Sequence, residues 1–261
     1  MAQPRVLGVI PARLASERLP RKPLRFLAGR PLIEWVWRRA AQLDTLDRVV
    51  VATESEEVER VCSELGAEVA LTAQHHRSGT ERVAEVAALP AFGGYDVVVN
   101  VQGDEPFVTE EQVAGAVARV VEGWDVGTVA TPLASDGELG DPSVVKVVRR
   151  PDGGALYFSR APVPYRRDGP PAAQDLASGW YLRHIGVYAY APDALRRWVA
   201  LPENELERIE RLEQLRPLAA GLTIGVSVVA GSERGVDTVD DLERVETRIM
   251  AHEHLFLSTQ A

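Results

Sequence analysis

Short apolar runs dominated by valine alternate with longer amphipathic stretches through the first half of this chain. RVLGVIPA is followed by PLIEWVWRRAAQL, RVVVAT by SEEVERVCSEL, and DVVVNVQ by TEEQVAGAVARVVE. A strand with no polar face has to be covered on both sides, and helical segments between such strands supply the crossovers that parallel pairing requires. The pattern therefore predicts a largely parallel, three-layer α/β sandwich. After VGTVATPL the alternation loosens into SVVKVVRRPDGGALYFSRAPVPY, where the turn Pro151-Asp152-Gly153-Gly154 separates strand-like runs and predicts an antiparallel elaboration. The segment from Arg166 to Gly179, rich in Pro, Gly, Ala and Asp, reads as a mobile loop. A strand (IGVYAY), helical segments (PDALRRWVAL and LERIERLEQLRPLAA), a strand (TIGVSVVA) and a helix from Thr238 complete the chain. In LERIERLEQLRPLAA one continuous helix would align Leu206, Ile209, Leu212 and Leu215 as its apolar stripe.

The 261 residues read as one domain, with a nucleotide half over about 1–135 and a further lobe over about 140–220. The net charge of −9 excludes nonspecific nucleic-acid binding, which needs a basic footprint. Between Arg13 and Arg30, however, six basic residues (Arg13, Arg18, Arg21, Lys22, Arg25 and Arg30) face one acid, Glu17, so a small anion is expected there. No apolar run reaches the ~20 residues of a membrane helix, and MAQPRVLGVIPA does not resemble a secretory signal. A cytoplasmic protein is expected. The single cysteine, Cys62, reads as a buried structural thiol.

Five clusters carry candidate chemistry. In VIPARLASERLPRKPL a strand ends at Pro11, and Arg13, Ser16, Arg18 and Lys22 follow at the edge where open α/β sheets bind ligands. The P-loop spacing is absent, so two readings stand: a triphosphate cradle of forked guanidinium groups and a point-charge ammonium, or a solvated basic loop. In DVVVNVQGDEP a valine run ends in Gln102, Gly103, Asp104, Glu105 and Pro106. A carboxylate there suits Mg²⁺, with Asp104 chosen over Glu105, and Gly103 would admit a ligand to the backbone; a polar turn is the alternative. In GVDTVDDLERV, Thr238 and Asp241 form a capping box that leaves Asp237 as a helper of the helix dipole. In HHRSGTERVAEV, Ser78, Gly79, Thr80 and Arg82 lead into a helix, where the turn's hydroxyls and backbone donors could hold a base or ribose edge or Thr80 could be only an N-cap, and His75 and His76 read as a solvated pair. The second half adds Tyr157, Ser159, Arg160, Arg183, His184, Tyr188, Glu210, Glu213 and Gln214, a mixture fit for a polyhydroxylated acid or for ordinary polar surface.

In this order PAR-x-x-S-x-RLP-x-KPL, HxSGTERxAEV, VNVQGDEP, VKVV…ALYFSRAPVPY, LRHIGVY, LEQLR and GVDTxxDLERV closely resemble the CMP-Kdo synthetase family, from about residue 8 to residue 245. The resemblance implies a Rossmann-like nucleotidyltransferase sheet with a smaller antiparallel lobe that binds sugar and supports a homodimer. It implies transfer of CMP from CTP to Kdo (3-deoxy-manno-octulosonate) with Mg²⁺, for lipopolysaccharide biosynthesis; the alternatives are 8-amino-Kdo and sialic acid. By motif, Arg13 and Lys22 would hold the CTP phosphates with Ser16, Ser78 and Arg82 helping to bind the nucleotide, and Gln102 would lie between nucleotide and sugar. Arg13, Lys22 and Asp104 would be catalytic, Asp104 and Asp237 would hold the metal, and Arg160, His184, Tyr188, Glu213 and Gln214 would form the Kdo pocket. Two departures stand out: Arg21 where the family most often has Gly after Leu-Pro, and Val239 where Asp-Thr-Pro is more usual.

Overall fold

The computed structural model describes residues 3–15, 19–231, 233, 235, 236 and 238–252. In chain order the elements are β1 (Val6–Pro11), β2 (Phe26–Leu27), β3 (Arg30–Pro31), α1 (Leu32–Ala40), β4 (Arg48–Thr53), α2 (Glu56–Glu64), β5 (Glu68–Leu71), α3 (Gly79–Ala88) and β6 (Val97–Asn100). Then come α4 (Glu110–Val121), β7 (Val126–Pro132), α5 (Asp136–Gly140), β8 (Lys146–Arg149), β9 (Ala155–Ser159), α6 (Ala173–Leu176), β10 (Leu182–Tyr190), α7 (Pro192–Ala200), α8 (Glu205–Glu210), α9 (Leu215–Ala219), β11 (Ile224–Val228) and α10 (Val239–Ala251). Two compact units result, one from residues within 1–110 and 233–261, the other from residues within 111–232. Among the described residues no helix is long and apolar enough to cross a membrane.

The first unit holds parallel strands in the order β6-β1-β4-β5, with Val9 opposite Val50 on one side and Asn100 on the other. The valine runs are buried, as strands without a polar face must be. Helices α1, α2 and α3 bury Trp35 and Val36, Val58 and Cys62, and Val83 and Val86. Burial pushes the Cys62 thiol up to about 12, so it stays protonated as a structural group. Helix α10 belongs to this unit: Glu246 accepts the Ala28 N–H at 2.6 Å. Its start has the expected capping box, with Thr238 and Asp241 serving each other's backbone N–H groups. Val239 occupies the first helical position without disturbing that cap.

In the second unit β11 pairs parallel to β7, and β7 pairs antiparallel to β10. β10 also makes a short antiparallel ladder with β8, which pairs with β9. Gly127 is obligatory on β7, because a Cβ there would lie 1.9 Å from the Ala116 carbonyl oxygen of α4. A stack of rings fills the other side, with Tyr190 of β10 edge-on to Trp198 of α7 at 5.5 Å between centroids.

Two expectations change here. The segment LERIERLEQLRPLAA is two short helices, α8 and α9, broken at Arg211, which adopts the left-handed conformation (φ 52°). The supposed stripe therefore splits: Leu212 and Leu215 are buried, whereas Ile209 is 73 % exposed and Leu206 is also exposed. The break is held by a buried forked pair in which Arg216 donates to both Glu207 carboxylate oxygens, at 2.7 and 2.5 Å. Within 166–179, read as a loop, the chain forms the single turn α6, and Arg166 donates to Asp175 at 2.6 Å.

Candidate active site

In the first unit the carboxyl ends of β1 and β6 and the start of α3 converge on Pro11. A Cβ on Gly103 would lie 2.5 Å from the Pro11 carbonyl oxygen, and one on Gly79 would lie 3.2 Å from Pro11 Cγ. Gly103 is thus required for the approach of one strand end to another. From β1 the chain runs through exposed Arg13 to Arg21, which takes the left-handed conformation (φ 59°, ψ 33°) and starts the turn Lys22–Leu24. That turn delivers Lys22 Nζ to within 2.5 Å of Asp104 Oδ2, on the loop after β6. Both side chains are largely shielded from solvent, so this pair is stronger than a surface bridge. Two of the three expected catalytic side chains, 82 residues apart in sequence, are therefore in direct contact.

Beside them lies a cavity of about 880 Å³, lined by Arg13, Leu14, Ala15, Pro20, Arg21, Glu54, Ser55, Glu56 and Gln74. Lys22 and Asp104 are outside its lining, though Lys22 directly follows Arg21. Two carboxylates, at the end of β4 and the start of α2, hold residues of its lining. Glu54 accepts the Leu14 N–H at 2.9 Å and pairs with Arg82 at 2.8 Å, while Glu57 accepts from Arg21 at 2.5 Å. Glu54 belongs to no motif, and only its place directly after RVVVAT, at a strand's carboxyl end, marks it in sequence.

The remaining expected nucleotide residues divide. Ser78, and not Thr80, caps α3 by accepting the Glu81 N–H at 3.3 Å, and Thr80 is buried. Arg82 is buried, donates to the Thr72 hydroxyl and the Ala73 carbonyl, and forms an ion pair with Glu54, which lines the cavity. Burial lowers its pKa against the pull of Glu54. Gln102 closes the turn before Glu105, whose N–H it accepts at 3.1 Å through its carbonyl. The histidine pair is not simply solvated, because His76 is bonded to Glu85. Ser16 and Asp237 lie outside the described residues. Among the described residues no group of three or more His, Cys, Asp or Glu gathers as a metal cluster. Val236, the residue before Asp237, donates its N–H to the Asp104 carbonyl at 2.9 Å.

The second unit collects the residues expected for a sugar acid. His184 and Tyr188, on β10, have ring centroids 5.3 Å apart, although four residues of regular strand span about 13 Å. The cause is a bulge: Ile185 faces Val129 and Tyr188 faces Thr128, so two residues of β10 have no partner on β7. His184 also meets Phe158 edge-on at 5.1 Å. Burial, then the nearby Arg183, pushes the His184 imidazole down to about 3, and burial with Tyr190 and Glu213 raises the Tyr188 phenol well above its usual value. Glu213 and Gln214 lead directly into α9, with Gln214 buried. Arg160 spends donors on backbone: its Nε reaches the Glu210 carbonyl at 2.8 Å and its Nη1 the Pro142 carbonyl at 2.8 Å. Lys146, fully buried, donates to the carbonyls of Asp141, Val144 and Arg160 at 2.9, 2.7 and 2.6 Å, which uses all three of its protons. Lys146 and Arg160 together latch this part of the unit; the sequence showed Lys146 only as a charge within an apolar run.

The family model described as cytidylyltransferase matches residues 7–224. The 3-deoxy-manno-octulosonate cytidylyltransferase of Gemmatimonas aurantiaca is 54 % identical over 243 residues, 93 % of each chain. The chain belongs to the 3-deoxy-manno-octulosonate cytidylyltransferase family. The family member of Halorhodospira halophila is 46 % identical over 96 % of this chain and 99 % of its own. A solved CMP:2-keto-3-deoxy-manno-octonic acid synthetase, complexed with CTP, superposes with a TM-score of 0.85 at 39 % identity, covering 95 % of this chain and 99 % of that one. The α/β nucleotidyltransferase fold of the family is thus the fold of this chain.

Proposed function

We propose that this enzyme transfers CMP from CTP to Kdo and releases pyrophosphate, the step that activates Kdo for lipopolysaccharide assembly. The observation that carries the reading is the Lys22–Asp104 contact at the carboxyl edge of the parallel strands, beside a cavity lined by Arg13 and Arg21, in a chain so similar to known Kdo cytidylyltransferases. The anomeric hydroxyl of Kdo attacks the α-phosphorus of CTP; the new O–P bond forms as the α–β bridging bond breaks opposite it, and the hydroxyl proton passes to solvent. Arg13 and Lys22 hold the phosphates and oppose the charge that gathers on the leaving pyrophosphate.

Among the described residues Asp104 offers the hard carboxylate oxygen that a divalent ion of the magnesium type prefers. When bound, magnesium supplies Lewis-acid stabilisation of the phosphate oxygens. Asp104 and Asp237 would hold it, and Lys22, released from Asp104, would turn to the triphosphate. On the sugar side, His184, Tyr188, Glu213 and Gln214 offer hydrogen-bonding groups, and Arg160 contributes by holding their surroundings. The reading includes a homodimer, which sedimentation of the purified chain checks.

The test is pyrophosphate release from CTP and Mg²⁺ with Kdo, 8-amino-Kdo or sialic acid, and with EDTA in parallel. Release that needs both Kdo and metal is expected. Release with sialic acid but not Kdo, or release indifferent to EDTA, would overturn the reading.

A further inference from the structure

Inside the bulge of β10 sits the side chain of Thr128, from β7. Its Oγ1 lies 2.8 Å from the Val187 carbonyl oxygen, 3.4 Å from that of Ile185 and 2.9 Å from His184 Nε2. A threonine hydroxyl has one proton and two lone pairs, and a carbonyl oxygen only accepts. The proton goes to Val187, the nearer carbonyl. Sent to the imidazole instead, it would leave two oxygens facing each other with lone pairs at 2.8 Å, and the Val187 carbonyl without this donor in a buried strand. The contact with His184 must then run the other way, with Nε2–H donating into Thr128 Oγ1. Neutral imidazole carries a proton on one nitrogen only, so Nδ1 is left as a hydrogen-bond acceptor.

We propose that Thr128 fixes the tautomer of His184, so that Nδ1 meets the sugar acid as an acceptor for one of its hydroxyl groups. The proposal rests on the Kdo reading above and deepens it. An unprotonated nitrogen cannot pair with a carboxylate, which is itself acceptor-only, so this contact selects a hydroxyl and assigns the acid end of the sugar to other donors. Thr128 acts through His184 and is a positioning residue. The bulge makes this possible: the two β10 residues without partners on β7 leave the Val187 carbonyl facing the Thr128 hydroxyl, and they bring His184 and Tyr188 together.

The experiment is long-range ¹H–¹⁵N correlation of the histidine rings at neutral pH, with the His184 signals assigned by their loss in His184→Asn. The wild-type protein is expected to show Nε2 protonated and Nδ1 bare. Thr128→Ser, which keeps the hydroxyl, is expected to preserve that pattern. Thr128→Val, of nearly the same shape, is expected to lose it and to raise the KM for Kdo by about tenfold, the effect of one hydrogen bond, while the KM for CTP stays within about twofold. A wild-type ring protonated at Nδ1 would overturn the proposal whether or not the valine variant folds, as would a serine variant with an altered tautomer or a valine variant with unchanged tautomer and Kdo KM. Absence of Kdo-dependent turnover in the wild-type enzyme would sink the sugar reading and the recognition role with it, whereas the nitrogen spectrum reports on the Thr128–His184 contact by itself.

Discussion

Arg21 shows how one residue can keep a backbone shape at a steric cost. Its left-handed conformation is one that glycine adopts freely and that a residue with a Cβ resists. What the arginine adds is a guanidinium at the cavity wall, bonded to Glu57. An exposed pair of this kind contributes little to stability, so the backbone effect should dominate. Arg21→Gly is therefore expected to raise the melting temperature by roughly 2–4 °C. A fall, read by differential scanning calorimetry, would show that the Glu57 contact outweighs the relief. The sequence pointed correctly to charge at this loop but not to its geometry, because an arginine in a left-handed turn carries no local signature.

At the scale of elements, the break between α8 and α9 and the bulge in β10 both depend on distant partners. Arg216 and Glu207 are nine residues apart, and their buried contact is compatible with the left-handed Arg211 between them. Arg216→Met leaves the Glu207 carboxylate buried without its guanidinium, and the expected cost is about 3–5 kcal/mol in urea unfolding. The double change Glu207→Met with Arg216→Met is expected to recover most of it; no recovery would mean that the pair specifies the break itself. In β10, His184 titrates near 6.5 when unfolded and at about 3 when folded. Between those values the unfolded chain binds more protons, so stability falls as pH falls below about 6.5 and is unaffected by this group above it. The urea midpoint of the wild-type protein should thus drop more than that of His184→Gln between pH 7.5 and 5.5, by the equivalent of about 1–2 kcal/mol. Equal drops would contradict a neutral His184 in the folded protein.

For the whole molecule, the valine runs and the helices between them were legible because strands covered on both faces leave an unbroken apolar record, and the parallel pairing of β6, β1, β4 and β5 is what that record implies. The return of α10 to the first unit was not legible, since it rests on contacts such as Glu246 to the Ala28 N–H, 218 residues apart. Lys22 and Asp104 stand out in sequence because each follows a strand's carboxyl end, whereas their contact, shielded from solvent, was not legible. Buried charge was less legible: Arg82, Arg160 and Lys146 spend donors on the protein itself, a use that no sequence pattern marks. Asp104, paired with Lys22 in this structure, is the proposed metal-holding carboxylate beside the reacting phosphate, and the whole mechanism turns on it. The most direct test is kcat for Kdo-dependent pyrophosphate release by Asp104→Ala at saturating CTP, Kdo and Mg²⁺, with circular dichroism to confirm the fold. The expected result is a loss of about 10²–10³-fold or more with an unchanged spectrum; turnover within a few-fold of the wild-type enzyme would contradict the account.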